Sequence, residues 1–338
     1  MANGTQFDEY QSVMLTTLAD GELHSGQEIA NKLGVSRTAV WKHLQKLEAA
    51  GIALETVKGK GYRIVGGLEL LDAATIQHHL PAHSRALLTR LEVLASASST
   101  NDQVLSQARQ AGSGYVCLAE QQTAGRGRRG RQWISPFGKN IYLSAGWEYE
   151  GGAAVLEGLS LAVGVAIVKA FSAAGIPGVQ LKWPNDVLWQ GKKLAGVLLE
   201  MSGDASGRCY VVVGIGINVE MSEHDAKDIS QQWVDLHSIA RENSKNNPGR
   251  NLLAALLIEQ LFSVLESYAG KRFVAYKNDW QALNAFSNQP VILTTSNETF
   301  SGKMSGVTDA GALVLDCDGQ EKVFYGGEVS LRGVSGDT

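Results

Sequence analysis

The chain has 338 residues, 44% hydrophobic and 19% charged, which is enough apolar material for packed cores and excludes wholesale disorder. Its formal net charge of -4 offers no global basic field, so any contact with nucleic acid must be local. The opening MANGTQFDEY lacks a basic start and an apolar run, and no 18-residue apolar stretch is free of charge, so neither a signal peptide nor a membrane span is expected.

In chain order, HSGQEIANKLGVSRTAVWKHLQKLEAAG comes first. Ile29 and Leu33 form one apolar stripe, and Val40, Leu44 and Leu47 form a second at helical spacing. Gly34 ends the first helix, Ser36 is placed to cap the second, and Gly51 follows its end. This is a helix-turn-helix. IALETVKGKGYRIV then reads as a hairpin, or wing, around KGKG. Residues 31–65 hold seven Lys or Arg against two acids, whereas residues 1–30 hold five acids and no Lys or Arg, so one face is basic. Ser36, Arg37, Thr38, Trp41 and Lys42 start the second helix, where base edges are read, and Lys58 and Lys60 on the wing would meet phosphates.

ASASSTNDQVL places Ser99, Thr100 and Asn101 before an amphipathic helix. They serve either as a helix cap or as polar groups offered to a ligand. After the strand YVCLAEQQ comes TAGRGRRGRQW, which contains G-x-G-x-x-G. The dinucleotide reading of that pattern needs a following helix, but Pro136, Gly138 and a second strand follow. Four arginines in six residues instead suit a flexible loop that closes over a phosphorylated ligand.

AAVLEGLSLAVGVAIVKAFSAAG reads as a long amphipathic helix. KWPND gathers Lys182, Trp183, Asn185 and Asp186 around a proline, and GKKLAG sets Lys193 in a tight β-turn. YVVVGIGINVE is a buried strand. Its Gly214 and Gly216 are costly there unless something approaches closely or the strand bulges.

Residues 220–250 are polar and carry no assigned role. NLLAALLIEQLFSVLESY is a second long amphipathic helix. Residues 286–332 then change to short strands with turns at Ser296-Asn297, Asp309–Gly311 and Asp318-Gly319, which suggests a small SH3-like barrel. Cys117, Cys209 and Cys317 are scattered and the histidines unclustered. That argues against a disulfide framework and a protein-ligated metal, and fits a reducing cytoplasm. No P-loop pattern and no nucleophile-base pair stands out.

SSTN, GRGRRGRQW, KWPND, GKKLAG and GIGIN, in this order behind a winged helix, closely resemble the family of bifunctional biotin protein ligases and biotin operon repressors. The resemblance implies an α+β multidomain chain. A winged helix-turn-helix occupies 1–66, a mixed α/β ligase domain of the biotin/lipoate type 67–284, and an SH3-like domain 285–338. It implies biotin, ATP and Mg²⁺ as ligands. The biotin carboxylate would attack the α-phosphate to give biotinyl-5′-AMP, and a lysine of the biotin carboxyl carrier domain of acetyl-CoA carboxylase would then take the biotinyl group. The adenylate would also act as corepressor, favouring a homodimer on operator DNA.

By resemblance, biotin is surrounded by Ser99, Thr100, Asn101, Gln122, Gly125, Arg126, Gly127, Arg128 and Lys193, with Gly196, Gly214 and Gly216 as a close floor. Arg128, Arg131, Trp133, Asn185, Asn218 and Arg332 are implied for ATP or the adenylate, with Trp133 packing over adenine. Lys193, Arg126, Arg128 and Lys182 would supply positive charge for the reaction, and Asp186 would orient or deprotonate the acceptor amine. The arginine loop is expected to be mobile before ligand binds. Two alternatives are a lipoate or octanoate ligase and a catalytically silent biotin-sensing repressor. A third is a ligase whose winged helix no longer binds DNA.

Overall fold

The computed structural model describes residues 8–203, 207–244, 247–295, 298–326 and 330–333. The first module has three helices: α1 (Glu9–Leu18), α2 (Gly26–Leu33) and α3 (Arg37–Ala49). The sequence reading had only the last two. Asp8 starts α1 with a reciprocal capping box to Gln11, and its Met14, Leu15 and Leu18 complete the small core. Ser25 and Ser36 cap α2 and α3 through their hydroxyls, and Gly34 ends α2 at φ 66°. Strands β1 (Leu54–Val57) and β2 (Gly61–Ile64) pair antiparallel as the wing, turning at Gly59.

Two short helices follow, α4 (Ala73–His79) and α5 (Ala82–Leu87), then β3 (Arg90–Leu94), α6 (Thr100–Ser106), α7 (Ala108–Ala111) and β4 (Tyr115–Ala119). Next come β5 (Asn140–Glu150), α8 (Leu159–Ala173), β6 (Val179–Lys182), β7 (Asp186–Trp189), β8 (Lys192–Gly203) and β9 (Arg208–Asn218). These strands form one seven-stranded sheet in the order β3-β4-β5-β9-β8-β7-β6, antiparallel except for β3 with β4. Both faces of β9 are covered, which explains its unbroken apolar run. α9 (Leu236–Glu242) leads to α10 (Arg250–Lys271), which packs with α8 over one face, while α6 lies on the other beside Tyr115, Tyr210 and Val212.

The long helix expected from Ala153 is broken. Residues 152–156 form a 3-10 turn, and Gly158 at φ 72° re-aims the chain before α8 begins. A Cβ at Gly158 would sit 2.5 Å from Phe273, so glycine is required there sterically as well. α8 is buried on nearly all sides rather than amphipathic. Segments 152–173 and 250–271 have the length and apolarity of membrane-crossing helices, and here their apolar surfaces pack against the sheet and each other.

After α11 (Lys277–Leu283), strands β10 (Pro290–Thr294), β11 (Thr299–Val307), β12 (Leu313–Cys317), β13 (Gln320–Phe324) and β14 (Ser330–Gly333) form an antiparallel sheet in the order β13-β12-β11-β10-β14. Asp318 and Gly319 turn with φ 55° and 82°, as a tight hairpin needs. The expected turn at Ser296-Asn297 lies outside the described residues. The inner face of this sheet (Val291, Leu293, Met304, Leu313, Leu315) joins the same apolar core as α8 and Trp280 of α11. Trp183 also donates through Nε1 to the Gly311 carbonyl at 3.1 Å, fixing the small sheet to the loop between β6 and β7.

Candidate active site

The β6–β7 and β7–β8 connections, the start of α6, the arginine loop and β14 converge on a cavity of about 580 Å³. It is lined by Ser99, Thr100, Asn101, Gln122, Arg126, Gly127, Arg128, Arg131, Trp133, Lys182, Asn185, Asp186, Lys193, Gly196, Gly214, Gly216, Asn218 and Arg332. Gly125 lies just behind this lining. Its missing Cβ would fall 2.7 Å from both Ser135 Oγ and the Trp133 carbonyl, so glycine lets the two ends of the loop cross.

At the start of α6, Ser99 occupies the N-cap position, its carbonyl accepting from Gln103 N–H at 3.1 Å, but its buried side chain makes no capping bond. Gln122 Oε1 accepts from the Thr100 backbone N–H at 2.9 Å and lies 3.2 Å from the Thr100 hydroxyl, while its amide nitrogen donates to Ser135 at 3.3 Å. Ser144 Oγ lies 2.7 Å from Thr100 Oγ1 and 2.6 Å from Asn101 Oδ1. This side of the cavity is a connected set of small polar groups, held in place by the sheet.

The arginine loop is folded rather than open. Gly127 N–H donates to the Arg131 carbonyl at 2.7 Å, and Trp133 N–H donates to the Gly125 carbonyl at 2.9 Å. The Trp133 indole lies on Gly196 and Gly216, where Cβ atoms would come within 3.3 Å and 2.5 Å of its ring. Gly214 does something else. A Cβ there would lie 2.3 Å from Asn101 Oδ1, so its bareness also makes room for the Asn101 amide beside the cavity it lines.

Lys193 was expected inside a turn. The turn consists of Gln190 and Gly191, at φ 48° and 77°, and Lys193 stands on β8. Its Nζ lies 2.7 Å from Asp186 Oδ1 and 5.4 Å from the Trp133 ring centroid. Arg128 donates to Asn185 Oδ1 at 3.3 Å, and burial lowers its guanidinium pKa while Asp186 opposes that shift. Lys182 Nζ lies 5.9 Å from the Phe286 ring, beside the small sheet.

Two further expectations change. Arg126 was read as a cation for phosphate, yet its guanidinium is engaged by Asp102 and Glu200. Asn218 was read as a hydrogen bonder to the adenylate, yet its amide nitrogen donates to the Lys193 and Val234 carbonyls at 3.3 and 3.2 Å. It thereby fixes the strand that carries Lys193.

Sequence reasoning missed one wall. Residues 228–233 line the cavity although 220–250 had been left without a role. Lys193 N–H donates to the Gln232 carbonyl and Val234 N–H to the Lys193 carbonyl, both at 3.0 Å, adding this segment beside β8. Trp233, a lone aromatic in a polar stretch, was the available signal.

At the other end of the chain, Arg37, Thr38, Trp41 and Lys42 are all exposed on α3, and Lys58 and Lys60 are exposed on the wing.

The fold and site define a class, the biotin/lipoate ligases joined to a DNA-binding module. Residues 93–218 match the biotin/lipoate A/B protein ligase family, 11–63 an HTH domain, and 286–332 the biotin protein ligase C-terminal domain. The chain is 39% identical over 319 residues to the bifunctional ligase/repressor BirA of Escherichia coli, covering 94% of this chain and 96% of that protein. It is 32% identical to BirA of Bacillus spizizenii over 94% of this chain and 97% of that one. The chain belongs to this family of bifunctional ligase/repressors. Among solved structures, it resembles a biotin protein ligase from Aquifex aeolicus in complex with biotin and ATP. The TM-score is 0.62 at 27% identity, covering 73% of this chain and 100% of that one.

Proposed function

We propose that the chain activates biotin with MgATP, transfers the biotinyl group to a lysine of the biotin carboxyl carrier domain of acetyl-CoA carboxylase, and represses the biotin operon as an adenylate-bound homodimer. The observation that carries the catalytic half is the convergence of five separated motifs on one cavity that brings cations and polar groups together. In the first step the biotin carboxylate attacks the α-phosphorus of ATP, the bond from that phosphorus to the bridging oxygen breaks, and pyrophosphate leaves with its electron pair. The step brings two anions together, so the transition state needs fixed positive charge. Lys193, Arg128 and Lys182 supply it. Ser99, Thr100 and Gln122 present hydrogen-bonding groups to the ureido head of biotin, while Arg131, Asn185 and Arg332 face the nucleotide. Mg²⁺ would come as part of the MgATP substrate and would add positive charge at the phosphates, beside Arg128 and Lys182.

In the second step an amine attacks the mixed anhydride and AMP leaves with the electron pair of the broken bond. Asp186 accepts the amine proton, which requires it to exchange its contact with Lys193. The folded loop and the 228–233 wall exclude water from an anhydride that water would hydrolyse. The exposed face of α3 and the wing reads DNA. A single winged helix makes few base contacts, so two copies on a two-fold site give operator specificity, and both activities belong to a cytoplasmic protein.

The deciding experiment is carboxylate-dependent ATP–pyrophosphate exchange with biotin, lipoate and octanoate in parallel. Exchange with biotin alone supports the reading. Exchange with lipoate or octanoate makes the chain a different ligase, and silence with all three, from protein that binds biotin, makes it a sensor. Sedimentation with and without biotinyl-5′-AMP tests the dimer.

A further inference from the structure

We propose that Asp102 and Glu200 form a two-carboxylate latch that tethers the arginine loop through Arg126, making them positioning residues for ligand binding. The inference rests on reading the cavity as a biotin and ATP site. Arg126 Nη1 donates to Asp102 Oδ2 at 2.7 Å and Nη2 to Asp102 Oδ1 at 2.5 Å, a bidentate fork, and Nη2 also reaches Glu200 Oε1 at 3.1 Å. Asp102 stands in the first turn of α6 and Glu200 on β8, so one guanidinium joins three separate parts of the chain.

The network continues inward. Glu200 Oε2 accepts from Asn101 Nδ2 at 2.7 Å, and Asn101 Oδ1 accepts from Ser144 over the bare Gly214. Arg126 and Asn101 line the cavity, whereas Asp102 and Glu200 do not. The carboxylates therefore act on the ligand only through the groups they hold.

Charge decides the role of Arg126. A guanidinium with two carboxylates carries a net negative charge as a cluster, a poor partner for an incoming phosphate. Phosphate contact falls to Arg128 and Arg131, while Arg126 holds the base of the loop in its closed geometry. The guanidinium keeps the Asp102 carboxyl below the usual carboxylate range, consistent with a persistent contact. A latch that pre-orders the loop lowers the entropy lost when ligand binds. Its removal therefore appears in KM for biotin and leaves kcat in place.

The test uses the full chain and the near-isosteric variants Asp102→Asn and Glu200→Gln, with Asp102→Glu as the conservative rescue. Two readouts are compared: the native-state rate of trypsin cleavage at Arg128, Arg129 and Arg131, and kcat and KM for biotin in pyrophosphate exchange. Breaking the ion pairs raises loop cleavage and KM by about two- to fivefold, with kcat at its wild-type value and an unchanged melting temperature. Asp102→Glu restores most of the effect. Wild-type values of cleavage and KM in both variants would overturn the latch, as would a fall in kcat at constant KM, which would put Arg126 in the chemistry. Wild-type protein inactive toward biotin would sink the functional reading, while the cleavage rates would still decide the latch.

Discussion

The Lys193 ammonium lies 2.7 Å from the Asp186 carboxylate, with side-chain exposures of only 16% and 18%. The two residues are seven apart in sequence and meet because β7 and β8 pair with a shifted register after Val187. Neither is free to act without the other yielding. Lys193→Ala removes the cation and is expected to lower biotin-dependent exchange by at least about a hundredfold in kcat/KM. Asp186→Asn is expected to keep exchange within about tenfold while slowing transfer to the acceptor lysine by about a hundredfold. Measuring the two half-reactions separately checks this. Parallel losses would reduce Asp186 to an anchor for Lys193.

The glycines of the central strands rank in a definite order. Gly214→Ala would drive a methyl to 2.3 Å from the Asn101 carbonyl oxygen, and Gly216→Ala to 2.5 Å from the Trp133 ring, whereas at Gly196 the nearest ring atom is 3.3 Å away. Gly214→Ala is expected to lower stability by about 1–3 kcal/mol through overpacking. Gly216→Ala is expected to lift Trp133 and weaken adenylate binding with a smaller loss of stability, and Gly196→Ala to be the mildest of the three. Melting temperatures and adenylate dissociation constants for the three variants give the ranking directly.

The DNA face separates base reading from charge. Arg37→Ala, at the exposed start of α3, is expected to cost about 1–3 kcal/mol of operator affinity and to relax sequence preference. Lys58→Ala on the wing weakens all sequences alike and lowers the salt slope by about one. Titrations of operator and random DNA at several salt concentrations check both. Pyrophosphate exchange stays at the wild-type rate in each.

A pH dependence sits at the base of the wing. The His24 ring nitrogens lie 2.9 Å from Asp20 and 3.1 Å from Glu28, and its backbone pairs with Tyr62. Burial alone would lower its pKa, but the hydrogen bonds to Glu28 and Asp20 and their charges outweigh that, so it is raised above the ordinary 6.5. A raised pKa contributes stability that is fully present below 6.5 and lost as pH rises through the folded value. Winged-helix stability is therefore expected to fall as pH rises from 6.5 through the raised folded value, and His24→Gln to flatten that fall. Unfolding midpoints of both proteins across the neutral range decide it.

The linker after the winged helix is held by a buried ion pair. Arg250 and Glu120 meet at 2.8 Å with exposures of 5% each, and Arg250 also donates to the Glu69 and Asn140 carbonyls. Glu120 Oε1 accepts from the Leu71 N–H at 2.6 Å. Arg250→Met leaves a buried carboxylate without its cation and is expected to cost about 3–5 kcal/mol in chemical denaturation. The double change with Glu120→Leu should recover much of that loss.

The amino-acid order alone determined the local units. Gly34 and Ser36 encode the ends of the winged-helix elements within a few residues of where they act. Pro136 and Gly138 ruled out the helix that a dinucleotide fingerprint needs. Asp318-Gly319 specified its own turn. The motifs that line the cavity were also legible one by one, because loops that bind phosphate are rich in glycine and arginine wherever they fold. Tertiary structure alone decided which groups those side chains meet. Arg126 finds Asp102 and Glu200, Gly214 makes room for Asn101, Asn218 serves Lys193, and a polar stretch with no periodicity becomes a wall through two backbone hydrogen bonds. Caps and turns are settled by dihedral preferences over three or four residues. The partner of a charged or bare position depends on strand register and helix packing, which bring together residues tens of positions apart.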